Sequence, residues 1–335
     1  MDSKIKRVRA LNTSAVVEAF GWAYVVAFFI WLILRAFWFD AHWVLALIND
    51  SALYLFTPLL LFLPYALWQH KYALLLTLLV PCAMFVFWYG ARFIPRAQAH
   101  AENARATFSV MSFNLHYDNW DLDAFAQTLR AQPPDIVGLQ EVSAPNRAFI
   151  ETRLADLYPH RAFLPIRERH SVALLSRYPI SNIETMPNVE RALRATVHLP
   201  RANINVIVAH LAPPNMFTYP LKKFVPLARE RFETRRVESA CLQDIGAREN
   251  DPAVLLCDCN MSDTSKTYQT IAASWRDTFV ERGWGLGHTL RFFLPPPLQR
   301  YDYVWHNRAL RAAEFHIGQD SGSDHFPVSA TFYQP

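Results

Sequence analysis

The chain is 335 residues long, 52% hydrophobic and 19% charged, with a net charge of +4, and that length accommodates two domains. All of the excess positive charge lies in the first 105 residues, and residues 106–335 carry equal numbers of basic and acidic side chains. This balance argues against a surface built to grip long polyanions, which needs a strong positive footprint.

The character of the chain changes near residue 95. Residues 13–39 are apolar apart from Glu18 and Arg35, and 51–68 and 72–89 are apolar too. Each run approaches the ~20 residues that a helix needs to cross ~30 Å of hydrocarbon. None has the polar stripe of a core helix, and the first is too long for a signal peptide's apolar region and lacks a small-residue cleavage site. Three transmembrane helices are therefore predicted within a membrane region at 1–95. Trp22, Trp31, Trp38, Trp43, Trp68 and Trp88 lie mostly near their ends, where interfacial side chains belong. Lys4, Lys6, Arg7 and Arg9 precede the first run and assign the N-terminus to the cytoplasm. Three crossings then put everything after Tyr89 on the extracytoplasmic side of the cell membrane, although Arg92 and Arg96 argue the other way.

After a polar linker at 96–105, residues 106–335 have the pattern of an α/β domain. Strands are predicted at 108–111, 135–140, 171–176, 195–199, 204–209, 253–257, 303–306 and 328–332, with helices at 122–129 and about 227–246, the second stopping at Gly246. Strands outnumber helices, which points to two packed sheets flanked by helices.

Polar residues stand where these strands end: Asn114 in Ser-Phe-Asn-Leu, Glu141 in Leu-Gln-Glu-Val, His210 in Val-Ala-His-Leu, Asp258 and Asn260 in Leu-Cys-Asp-Cys-Asn, and Asp324 and His325 in Gly-Ser-Asp-His-Phe-Pro-Val. Asp302 in Arg-Tyr-Asp-Tyr-Val-Trp stands just before a strand. Strand ends can aim rigidly held groups into one cleft. Singly, each is more often a solvated turn residue or an Asx turn. Their joint occurrence in this order is another matter. With His-Ser-Val-Ala-Leu-Leu-Ser-Arg-Tyr-Pro-Ile at 170–180, the chain resembles the endonuclease/exonuclease/phosphatase superfamily of metal-dependent phosphoesterases over residues 108–333. The apolar prefix and His-Leu-Ala-Pro-Pro resemble a bacterial, membrane-anchored subgroup.

The resemblance implies an α/β four-layer sandwich of two mixed β-sheets flanked by helices, preceded by the three transmembrane helices. It also implies roles for the residues. Glu141 would be the principal ligand of Mg2+, with Mn2+ as the alternative, because hard ions take oxygen donors. Asp324 would be a second ligand, and Asn114 and Asn260 would hold the phosphate or complete the metal shell. Asp258 would orient or deprotonate the attacking water. His325 would contact the scissile phosphate with its tautomer set by Asp302, and His210 would be a second phosphate contact or the proton donor to the leaving oxygen. Two positions depart from the family pattern: His116 stands where many members have an acidic residue, and Cys257 replaces the glycine of Gly-Asp-x-Asn.

The cysteines allow other readings. Cys-x-Cys with a nearby histidine could bind zinc, although structural zinc sites usually have two such pairs and wider spacing. Cys241 could pair with Cys257 or Cys259 in an oxidising compartment. For the substrate, Lys222, Lys223, Arg229, Arg231, Arg235 and Arg236 gather in and before one helix, as a solvated face or a phosphate-binding patch, next to the aromatic-bearing loop at 213–220. Beside a bilayer such a loop can meet lipid headgroups, or Phe217 and Tyr219 can simply pack in the core. Neutral charge, tether and loop favour a phospholipid or other envelope phosphodiester as substrate. A membrane-tethered nuclease is the alternative, and a non-catalytic membrane receptor or scaffold would have eroded the active-site set, which is complete.

Overall fold

A computed structural model describes residues 13–95, 107–166, 170–214, 220–292 and 296–334. The four basic residues ahead of the first run, the linker at 96–105, and Phe217 and Tyr219 lie outside the described residues. The chain divides into two compact units, Met1–Ala91 and Arg92–Pro335.

The first unit holds α1 (Thr13–Trp38), α2 (Trp43–Asp50), α3 (Leu59–Trp68) and α4 (Tyr72–Tyr89). Two helices among the described residues are long and apolar enough to cross a membrane, Thr13–Trp38 and Tyr72–Phe93. The middle run expected at 51–68 is not one straight helix. It is the second arm of a pair, Trp43–Asp50 and Ala52–Trp68, bent by 67°, and it makes a third crossing only as a broken span. Its irregularity has local causes: Pro58 has no N–H to donate, and the buried Asn49 accepts from the Trp31 indole at 2.9 Å and donates to the Phe39 carbonyl and the Asp40 carboxylate. Lys71, just before α4, pairs with Glu18 early in α1 at 2.7 Å. Arg35, late in α1, lies over the ring of Trp88, late in α4, at 5.1 Å. Thus α1 and α4 run in the same direction, and the bent pair lies between them in the chain.

The second unit contains β1 (Thr107–Asn114), α5 (Leu122–Ala131), β2 (Ile136–Val142), α6 (Ala144–Arg153), β3 (His160–Phe163), β4 (Ser171–Ser176), β5 (Ile180–Thr185), β6 (Ala192–His198) and β7 (Asn203–His210). These are followed by α7 (Leu221–Arg248), β8 (Ala253–Asp258), α8 (Lys266–Ala272), β9 (Arg276–Asp277), α9 (Thr278–Arg282), β10 (Asp302–His306), β11 (Arg311–Ile317) and β12 (Val328–Tyr333). They form two six-stranded sheets, ordered β11-β12-β1-β2-β4-β3 and β5-β6-β7-β8-β10-β9. Each sheet has one parallel pair at its centre, β1 with β2 and β7 with β8, and antiparallel neighbours outside it.

Alternation along the central strands makes the layers. Phe108 and Val110 of β1 face the other sheet, in a core with Leu174, Val208 and Leu256. Met111 and Phe113 face the opposite way, against Phe125 and Leu129 of α5 and Ile150 of α6. Leu255 and Cys257 of β8 likewise turn outward, onto Leu242 of α7 and Ile271 of α8. Helices, sheet, sheet and helices are the four layers of the expected mixed sandwich.

Two glycines are set by close packing. Gly246 does not stop α7, which continues to Arg248; a Cβ there would meet the Trp275 indole nitrogen at 2.3 Å. Gly138 of β2 lies where the sheets approach, and a Cβ would stand 2.8 Å from that of Leu256 and 3.0 Å from a Val208 methyl. Gly138→Ala should therefore destabilise the domain by about 1–3 kcal/mol, the usual cost of overpacking a tight core. A thermal melt unchanged from wild type would show that the sheets can part at no cost.

Candidate active site

The topology brings the strand-end residues together. Asn114, Glu141, His210 and Asp258 lie at or near the C-terminal ends of the two central parallel pairs. Because β10 is antiparallel to β8, its first residue, Asp302, pairs in register with Asp258. Likewise β12 is antiparallel to β1, so His325, just ahead of it, arrives beside Asn114. The Ser323 hydroxyl secures that arrival by donating to the Asn114 carbonyl at 2.8 Å.

Asp258 is the hub. Its Oδ2 accepts the Asn114 amide at 2.7 Å and stands 3.5 Å from His210 Nε2 and 3.9 Å from His325 Nε2. Its Oδ1 accepts the Asn260 backbone N–H at 3.1 Å, and the Asn260 amide donates to the Leu211 carbonyl at 3.0 Å. Asp302 Oδ2 and His325 Nδ1 are hydrogen-bonded at 2.8 Å, with both residues buried. The other Asp302 oxygen has no hydrogen-bond partner among the described residues.

Glu141 lies within β2 at a register shift against β4 and takes a left-handed φ of 54°. Non-glycine residues avoid that conformation, and where it occurs the surrounding structure enforces it. Its Oε1 stands 3.7 Å from His210 Nε2, and its Oε2 accepts the Tyr117 N–H at only 3.4 Å. An anionic carboxylate aimed into a polar cleft with one long hydrogen bond is a fitting donor for a hard divalent cation. Asp324 is less buried, beside the Ser323 hydroxyl at 3.4 Å. Asp258, Asp302 and His325 form a second group able to hold an ion, with one potential ligand atom from each within 4.8 Å of the others. The Asp302 bond occupies one nitrogen of His325, so this trio is better suited to moving a proton.

The electrostatics separate the two histidines. Burial, then the neighbouring His170 and Arg191, push His210 well below the ordinary imidazole range, and the ring is neutral. Burial also opposes charge on His325, but Asp302 and Asp258 outweigh it and hold the imidazolium well above that range. Burial raises Asp258 to about 7, a value suited to a base near neutral pH.

Two residues of the site escaped the sequence reading. Tyr117 and His170 stack at 5.8 Å with 15° between their planes, and His170 stands 5.6 Å from His210. The signal was a histidine opening the segment His-Ser-Val-Ala-Leu-Leu-Ser, visible only as a strand preface. His116 has φ 60°, and its N–H donates to the Asn114 amide oxygen at 2.9 Å. Cys257 and Cys259 are bonded to each other while Cys241 is free, which leaves neither a Cys241 bridge nor a Cys-x-Cys thiolate pair for zinc.

Behind His210, the Ala212 N–H donates to the buried Glu238 of α7 at 2.9 Å. Burial raises the Glu238 carboxyl from 4.5 to about 7 against the pull of Arg235, Arg191 and Arg231. A folded-state pKa above the unfolded one means stability that is complete below about 4.5 and is lost as pH rises through about 7. Glu238→Gln should therefore gain on wild type between pH 5 and 8, by on the order of 2–3 kcal/mol at most. Parallel melting curves of the two proteins across that range would refute the assignment.

Comparison with solved structures agrees with this architecture. An endonuclease/exonuclease/phosphatase from Beutenbergia cavernae is 23% identical with a TM-score of 0.51, over 69% of this chain and 72% of that one. A protein of the same description from Bacteroides vulgatus is 17% identical with a TM-score of 0.54, over 69% and 100%. The 3′ phosphatase NExo from Neisseria, bound to a product DNA hairpin, is 17% identical with a TM-score of 0.54, over 67% and 98%. At these identities the likeness establishes the fold. No curated protein sequence matches the chain significantly. The sequence profile of the Endonuclease/Exonuclease/phosphatase family, however, matches residues 111–325, the stretch from β1 to His325, and the chain belongs to that family.

Proposed function

We propose that this protein is a membrane-anchored phosphodiesterase, dependent on a divalent metal, that hydrolyses a phospholipid or another phosphodiester of the cell envelope. The observation that carries this reading is the convergence of Asn114, Glu141, His210, Asp258, Asp302 and His325 at one end of the sandwich, in a chain whose first unit has two or three helices able to span a membrane. Family members hydrolyse phosphoester bonds and generally use divalent metals.

Glu141 would hold Mg2+, or Mn2+ in its place, with Asn114 and Asp324 beside it. When bound, the ion neutralises charge on the phosphoryl oxygens. Asp258 takes the proton of the attacking water or orients it. His325, kept protonated by Asp302 and Asp258, donates to the scissile phosphate and the charge that builds there. Neutral His210 and the Asn260 amide complete the phosphate contacts.

The parallel course of α1 and α4 supports an odd number of crossings, and so a catalytic domain on the face opposite the N-terminus. A disulfide beside the catalytic residues supports an oxidising, extracytoplasmic compartment. The membrane region at 1–95, the linker at 96–105 and the catalytic domain at 106–335 are part of this proposal. A nuclease is the second reading, favoured by Arg191 and Arg231, which stand near enough to His210 to lower its pKa. The detergent-solubilised protein should be screened with Mg2+ against phospholipid vesicles, single-stranded and duplex nucleic acid, and phosphomonoesters. Hydrolysis of phospholipid that is lost with chelator is the expected result. Activity confined to nucleic acid would favour the second reading, and activity on none would refute both.

A further inference from the structure

We infer that the Cys257–Cys259 disulfide is the positioning element of the catalytic end of β8, and that hydrolysis depends on its being oxidised; the second part rests on the phosphoesterase reading above. The residue between the cysteines is Asp258, with Asn260 next. The two Cα atoms are 5.2 Å apart, less than the ~6.7 Å that two steps of an extended strand cover. The chain is therefore bent at Asp258.

The bond lies on the far side of that bend. Val254 and Leu256 face the core between the sheets, whereas Leu255, Cys257 and Cys259 face the core under α7 and α8 with Leu242, Trp275 and Tyr303. Both cysteines are fully buried. The bend sets several site contacts at once. It lets Asp258 accept the N–H of Asn260, a residue held at φ 48°, and it aims the Cys259 N–H at the Tyr301 carbonyl at 2.9 Å, one residue before Asp302. Asp258, Asn260 and Asp302 thus share one clamp.

Reduction would loosen the clamp. Bonded sulfurs sit about 2 Å apart, and two thiols in contact sit roughly 1.5 Å further apart. In a close-packed core that separation is passed to the backbone between them. A displacement of about 1 Å at a catalytic group can cost on the order of 10²-fold in rate. The step balances as thiol–disulfide exchange: a dithiol reductant supplies two electrons and two protons, the S–S bond becomes two thiols, and the reductant closes to its own disulfide.

The test uses the full-length protein in detergent, treated with a water-soluble phosphine, which becomes its oxide as each disulfide becomes two thiols. Mass spectrometry counts thiols at 257 and 259, while kcat, KM, melting temperature and amide hydrogen exchange at 258–261 are measured on the same samples. We expect kcat to fall tenfold or more below the melting transition with KM changed less than twofold, exchange at Cys259 and Asn260 to quicken, and reoxidation to restore both. The double variant C257A/C259A should be slow with or without phosphine. Protein carrying two counted thiols with unchanged kcat and exchange would overturn the inference, as would fully active untreated protein with those thiols free. If oxidised protein hydrolyses no phosphoester, the phosphoesterase reading fails, and the exchange measurement still decides whether the disulfide positions the strand end.

Discussion

Glu141→Gln should lower kcat by about 10³ or more at saturating Mg2+, the scale on which metal-assisted hydrolysis loses its electrostatic support. Glutamine keeps the shape that fills the bulge after Gln140 and removes only the charge, so the melting temperature should stay within a few degrees of wild type. The carboxylate has one long backbone hydrogen bond and a histidine at 3.7 Å, which gives the charge little structural work. Isothermal titration with Mn2+ should show binding lost in parallel with turnover. A variant with near-normal kcat would mean that the ion is held elsewhere, with the Asp258, Asp302 and His325 trio as the next candidate.

The second large effect is a non-additive one. Asp302→Asn and His325→Ala should each lower kcat by about 10² or more, the usual range for a positioned acid or base. The two are bonded at 2.8 Å through Nδ1, so each variant disables the same device. Without the carboxylate the ring loses the larger of the two partners that together outweigh burial and keep it protonated. Groups that act as a unit lose little more when both are removed. The double variant should therefore be scarcely slower than His325→Ala alone. Losses that multiply in the double variant would show two independent contributions.

What was legible in the sequence follows from where each residue stands. Asn114, His210 and Asp258 interrupt or end runs of apolar residues, so their positions at strand ends could be read directly, and antiparallel pairing then does for Asp302 and His325 what no local pattern can. Four strands were missed, β3, β5, β9 and β11, and they are the edges of the two sheets. An edge strand is often exposed, as the last four residues of β5 are, and so lacks the continuous apolar run of a central strand. The span at 51–68 was apolar enough but not regular enough, because hydropathy does not register a missing N–H at Pro58. Tyr117 and His170 were hidden for another reason. They stack across 53 residues of chain, and neither has a spacing that marks the partner.

The wedge of β12 between β11 and β1 has a consequence for biosynthesis. Asn114 and the Ser323 hydroxyl that holds its carbonyl are 209 residues apart. At ~5–20 residues per second, translation leaves on the order of ten to forty seconds between the two. Until the final strand slots in, β1 has an open edge, His325 has not reached Asp302, and the proton-handling half of the cleft does not exist. A chain that stops a few residues short of β12 would therefore lack the Asp302–His325 contact altogether.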